Sequence, residues 1–163
     1  MIIKLKNKDT LIVDNFKLKC CIGKGGLKKN KKEGDGATPK GKFSLGKLYW
    51  RSDKIKKPEN NLNCKKITKN LGWCIDSNSR LYNKEFKIKK KIQHEKLMRK
   101  DYKYNLLIVI NYNKKNTIKN KGSAIFIHLT KDYKPTLGCI AVSENDFLVL
   151  CKLINKKTKI IIN

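Results

Sequence analysis

Arginine is scarce in this chain: only Arg51, Arg80 and Arg99 stand among its 40 basic residues. Against those 40 are 13 acidic side chains, so the 163 residues carry a formal charge of +27. An excess of that size invites a nucleic-acid partner, yet it is the planar guanidinium fork that reads phosphates and base edges bidentately. Lysines scattered among asparagine and isoleucine read instead as solvated faces, as in the runs Lys28–Lys32 and Lys87–Ile92, and no specific nucleic acid is expected as a partner. What the charge does predict is nonspecific, salt-sensitive attraction to anionic polymers.

The signatures of metal and redox chemistry are missing too. The cysteines are Cys20, Cys21, Cys64, Cys74, Cys139 and Cys151, and no two are spaced as Cys-x-x-Cys. A zinc site or a thioredoxin-type centre therefore has no support, and neither metal nor cofactor is expected. Cys20 and Cys21 would point to opposite faces of a strand, and Cys151 falls on the apolar side of a predicted helix as a small core residue. The segment Met1–Thr10 is too charged for the apolar region of a secretory leader, and Leu106–Ile110 is far too short to span a bilayer. These features predict a cytoplasmic chain with no membrane span. The length fits one domain over residues 1–163, a monomer with a core that needs no disulfide staples.

One nucleotide-binding signal is incomplete. Gly36-Ala-Thr-Pro-Lys-Gly41-Lys42 nearly spells a P-loop, but Phe43 stands where the magnesium-binding hydroxyl belongs. The residues after it are strand-like, whereas a P-loop needs a helix N-terminus there to hold phosphate. A turn leading into a strand fits better, with Pro39 fixing the bend.

Short apolar runs at Ile2–Leu5, Leu11–Val13, Phe16–Ile22, Phe43–Tyr49, Tyr104–Tyr112, Ser123–Leu129 and Lys159–Ile162 predict strands separated by turns. Tyr104–Tyr112 and Ser123–Leu129 should form the centre of the sheet. Residues 51–70 read as an exposed excursion, and His94–Met98 as a short helix. Ser143-Glu-Asn-Asp146 has the pattern of a helix N-cap, and Phe147, Leu148, Leu150, Cys151 and Ile154 then recur at helical spacing. The fold class is mostly β, a sandwich-like sheet assembly with one or two helices.

The richest chemistry lies between residues 122 and 142. His128 ends the apolar run Gly122-Ser-Ala-Ile-Phe-Ile-His128, and eleven residues later Cys139 follows Gly138 and precedes Ile140-Ala-Val142. A thiol becomes a useful nucleophile when an imidazole takes its proton, and two adjacent strands joined by a short loop, a hairpin, could bring these groups together. Taken alone, the pair reads equally as a buried core cysteine after a turn. His94 reads as a surface or core histidine.

Four blocks in order resemble the L,D-transpeptidase catalytic domain family (YkuD, or ErfK/YbiS/YcfS/YnhG). They are Glu33–Phe43 with its Thr38-Pro39, Leu71-Gly-Trp-Cys-Ile-Asp76 with Leu81-Tyr-Asn83, Gly122–His128, and Thr136-Leu-Gly-Cys139. The resemblance implies a cysteine-dependent acyl transfer on peptidoglycan stem peptides or muropeptides. Cys139 would be the nucleophile and His128 the general base and later acid. Gly138 would let a carbonyl approach, with the Gly138 and Cys139 amides as an oxyanion hole. Thr136 would shape the loop and orient the imidazole, and Trp73, Asp76, Tyr82 and Asn83 would line the cleft. Two departures stand out. Ala141 occupies a position where the broader family commonly has arginine, and the loop between His128 and Cys139 is short. An L,D-carboxypeptidase that trims tetrapeptide to tripeptide is the alternative activity, and a non-catalytic basic binding module a third. The family's usual wall-building role would place the chain at the cell envelope, against the cytoplasmic expectation from its N-terminus.

Overall fold

Apolar residues and lysine alternate from Ile3 to Lys6, and in an extended backbone that period sends one set inward and the other to solvent. The computed structural model describes residues 1–89 and 91–163, so Lys90 of the run Lys87–Ile92 lies outside the described residues. In it, β1 (Ile2–Lys6) buries Ile3 and Leu5 and exposes Lys4 and Lys6. β2 (Thr10–Val13) and β3 (Phe16–Cys21) continue the meander. Two short parallel strands, β4 (Leu27–Lys28) and β5 (Thr38–Pro39), precede the long β6 (Gly41–Trp50), so a strand follows the P-loop-like segment. Then come β7 (Cys64–Lys66), β8 (Leu71–Cys74), β9 (Glu85–Lys87), β10 (His94–Lys96), β11 (Leu106–Ile110), β12 (Phe126–Leu129) and β13 (Ile140–Val142). A helix, α1 (Glu144–Leu153), and β14 (Lys159–Ile162) close the chain.

The main sheet runs β11-β12-β13-β3-β2-β1-β14-β6-β7, and β6 also pairs with β11. The ten residues of β6 make this possible: Gly41–Ser44 pair with β14, and Leu45–Trp50 with β11. The sheet therefore closes on itself. Ile3, Leu11, Leu18, Ile108, Ile127, Ile140 and Ile160 belong to the core within the ring, and α1 adds Phe147, Leu150 and Cys151 to it. Ser143 caps α1, its hydroxyl accepting from the Asp146 amide at 3.1 Å.

A second layer, β10-β8-β9, covers the outer face of β6, β11 and β12. Leu71, Trp73 and Leu97 there pack against Tyr49, Leu107, Val109 and Phe126. The result is mostly β with one helix among the described residues, two layers deep at this side.

Two local expectations are corrected. His94–Met98 is not helical, because His94, Glu95 and Lys96 pair antiparallel with Cys74, Trp73 and Gly72. Residues 51–70 are not simply an exposed excursion: Arg51, Leu62 and Ile67 are buried, and β7 joins β6 in parallel.

Candidate active site

Every residue of β11 and β12 is buried, so these strands have two apolar faces. Leu106, Ile108, Ile110, Ile127 and Leu129 point into the ring, while Leu107, Val109 and Phe126 point out under the second layer. His128 is two residues from Phe126 and shares its outward face. β13 runs parallel to β12, with Ile127 beside Ile140 and His128 beside Ala141. That register sets Cys139 next to Phe126, whose amide donates to Sγ at 3.4 Å, while the thiol donates to the Ala124 carbonyl at 3.3 Å. Cys139 and His128 thus stand diagonally on neighbouring strands, about 8 Å apart between backbones on one face, and both line a cavity of about 340 Å³. They meet through parallel pairing, not the hairpin expected, because residues 130–139 carry the chain back before β13 begins.

His128 is only 6% exposed. Its Nδ1 lies 2.9 Å from the Leu129 carbonyl, which holds the proton on Nδ1 and leaves the Nε2 lone pair available. Burial pushes its pKa down to about 4, and the nearby Lys103 and Arg99 charges act in the same direction. Burial pushes the Cys139 thiol up to about 12, with the Glu95 charge adding to it and the Phe126 amide opposing it. Near neutral pH the two groups rest as thiol and neutral imidazole.

The Gly-Cys loop is fixed from the Thr-Pro segment. Thr38 Oγ1 donates to the Gly138 carbonyl at 2.8 Å and accepts from the Gly23 amide at 2.9 Å. Gly138 has φ +137°, and a Cβ there would stand 2.8 Å from the Ala37 carbonyl oxygen. Thr136 Oγ1 donates to the Cys139 carbonyl at 2.6 Å and accepts from the Gly138 amide at 3.1 Å. Thr136 thus closes the turn but does not orient the imidazole, which the Leu129 carbonyl meets instead. The Gly138 amide is committed inside that turn, which removes it from the expected oxyanion pair.

The family model for the L,D-transpeptidase catalytic domain, YkuD, matches residues 2–162. The chain belongs to this family. None of the curated proteins compared with it matches. Members of the YkuD family act on peptidoglycan peptides.

In this YkuD domain Ile75 is the member of the Trp73–Asn83 block that lines the cavity, whereas Trp73, Asp76, Tyr82 and Asn83 stand behind it. Trp73 is buried edge-on against Phe126, ring centroids 5.1 Å apart, and donates Nε1–H to Asn83 Oδ1 at 2.9 Å. Asn83 Oδ1 also accepts from the Ala124 amide, and Nδ2 donates to the carbonyls of Tyr112 and Asn113. The block therefore positions Ala124, the residue whose carbonyl holds the thiol. Asp76 only caps its own turn, accepting from the Asn78 amide at 3.0 Å. The Tyr82 hydroxyl donates to Glu33 and accepts from the Gly122 amide. His94 packs edge-on against Phe86 and places Nδ1 2.7 Å from the Ile92 carbonyl.

Several cavity residues escaped the sequence reading. Tyr104 lies edge-on to His128 at 5.3 Å and donates its hydroxyl to Glu95, whose carboxyl burial holds above its usual range. Glu33 accepts from Ser123 Oγ at 2.7 Å. Lys31 corrects the reading of Lys28–Lys32 as wholly solvated: its side chain is 3% exposed and its Nζ sits 2.7 Å from Asp35. The available signal was Lys31-x-Glu33-x-Asp35, two acids close together in a chain with few.

Proposed function

We propose that this YkuD domain is an L,D-transpeptidase that works through a thioester on Cys139. The observation that carries the reading is the shared cavity, where His128 keeps Nδ1 on a carbonyl and Nε2 free beside the Cys139 face. His128 Nε2 takes the thiol proton as Sγ attacks the carbonyl between the L-centre of a diamino acid and the terminal D-alanine. The tetrahedral oxyanion is met by the Cys139 amide. The imidazolium then protonates the departing D-alanine amine, leaving the acyl group on sulfur. An acceptor amine attacks the thioester, loses its proton to His128, and releases the thiol.

Neutral partners suit this order of events, because the proton moves only as the carbon–sulfur bond forms. A second reading is L,D-carboxypeptidase activity, with water as acceptor. It is favoured by Ala141, which lines the cavity with a methyl where the broader family commonly has arginine. A non-catalytic basic module would have no use for the fixed Thr38–Gly138–Cys139 loop.

Incubation with soluble disaccharide-tetrapeptide, with and without excess D-methionine, separates the activities. D-Methionine at position four of the product supports transpeptidation. Tripeptide formed regardless of added amine assigns the protein to hydrolysis, and unchanged tetrapeptide in both arms contradicts both.

A further inference from the structure

Around the closed sheet, β1 lies across the ring from β12, so the outer face centred on β1 is turned away from the Cys139 cavity. Five strands build that face in the order β6-β14-β1-β2-β3, and their pairing registers align the outward residues into rows. One row reads Lys42–Ile161–Lys4–Ile12–Lys17, with lysine and isoleucine alternating strand by strand. A second reads Lys6–Thr10–Lys19, and Lys159 stands beside Ile2 and Ser44. All six lysines are exposed.

Directly opposed like charges destabilise a sheet, and in the long row each lysine is about 10 Å from the next, two strands away. No acidic residue occurs in β1, β2, β3, β14 or the Gly41–Ser44 half of β6. Among the described residues none of the six lysines belongs to an ion pair, and only Lys19 has another partner, the Tyr133 ring at 4.6 Å. Asp9 and Asp14 stand in the turns at the strand ends, and Glu33, Glu95 and Asp132 line the cavity together with Lys31, Arg99, Lys103 and Lys134. The rows on the sheet face thus carry one sign of charge, whereas the cavity mixes both.

We infer that this lysine–isoleucine face docks the protein on an anionic lipid bilayer surface, with the catalytic cavity facing away from it. The outside of a closed sheet is broad and lacks a projecting helix or ribbon to enter a nucleic-acid groove. The face has no arginine to fork onto a phosphate, and its single exposed aromatic, Phe16 at the start of β3, gives no platform on which successive bases could stack. A bilayer asks for neither. It attracts clustered lysines through its surface potential, and Ile2, 41% exposed, with Ile12 and Ile161 between the lysine stems, supplies apolar contact at the headgroup level.

The test is co-sedimentation of the full chain with vesicles of phosphatidylglycerol and phosphatidylcholine in equal parts, and with phosphatidylcholine alone. Salt-sensitive binding to the anionic vesicles only is expected. Each lysine removed should weaken it about fivefold, so K4Q/K17Q/K42Q should lose roughly 100-fold and K4E/K17E/K42E more. A control of equal charge change to the latter, K69E/K115E/K119E, should stay within a few-fold. Thermal melts identify any misfolded variant, and the glutamine set keeps the comparison available if the glutamate set does not fold. No binding to anionic vesicles, or an equal loss in the control, overturns the proposal. So does duplex DNA displacing the protein through the same three lysines, which would assign the face to nucleic acid.

Discussion

Thr38 and Gly138, a hundred residues apart in the chain, are joined by a hydrogen bond of 2.8 Å from the threonine hydroxyl to the glycine carbonyl. The Thr-Pro segment and the Gly-Cys loop therefore form one unit. Thr38→Val keeps the shape but removes both the donor to Gly138 and the acceptor of the Gly23 amide. The loss should cost about 1–3 kcal/mol, the usual penalty for buried groups left unpaired. Urea denaturation measures it, and Thr38→Ser should recover most of the stability.

Gly138→Ala tests the same loop from the other side. The added methyl meets the Ala37 oxygen at 2.8 Å in a backbone at φ +137°, where an L side chain is strained. A stability loss of about 1–3 kcal/mol is expected, together with slower acylation of Cys139. Wild-type stability and rate in this variant would contradict the packing described.

Much of the fold was legible because some segments satisfy two rules at once. Ser143 is both cap and boundary for the helical run Phe147–Cys151, and Lys4 and Lys6 alternate with Ile3 and Leu5 as a half-buried strand requires. His94–Met98 misled because a few residues with Leu97 and Met98 adjacent fit either period, and pairing with β8 decided the outcome. The Cys139–His128 pair could be read from Gly138-Cys139 and the strand ending in His128. Which way the strands run could not, since that depends on how residues 130–139 return. Lys31 was unreadable for a different reason: only the fold shows that Asp35 and Gly122 enclose it.

The Trp73–Asn83 block makes a contrast between two of its members. Asn83→Ala removes four hydrogen bonds, to Trp73, Ala124, Tyr112 and Asn113, and should cost more than about 2 kcal/mol. Asp76→Ala should change stability by less than about 0.5 kcal/mol plus the loss of a local turn bond, and leave acylation unchanged. Equal and strong loss of acylation in a folded Asp76→Ala protein would return that residue to the cleft.

Stability should fall in mild acid because of His128. Its folded pKa of about 4 lies below the ordinary 6.5, so the unfolded chain takes up the proton first. The contribution is fully present above pH 6.5 and is lost as the pH falls toward 4, for a total of about 3 kcal/mol. Denaturation curves of the wild type and His128→Gln at several pH values within that window isolate the term. A wild-type slope no steeper than the variant's would show that the imidazole is not held neutral by burial.

The most direct measurement of the central claim is covalent. A carbapenem mimics the acyl donor, and intact mass followed by peptide mapping locates any adduct. One carbapenem per chain, on Cys139, abolished in Cys139→Ser and slowed by roughly 10²–10⁴ in His128→Ala, is the expected result. An adduct on Cys64 or Cys74, or none on a folded protein, would contradict the assignment of Cys139 as the nucleophile.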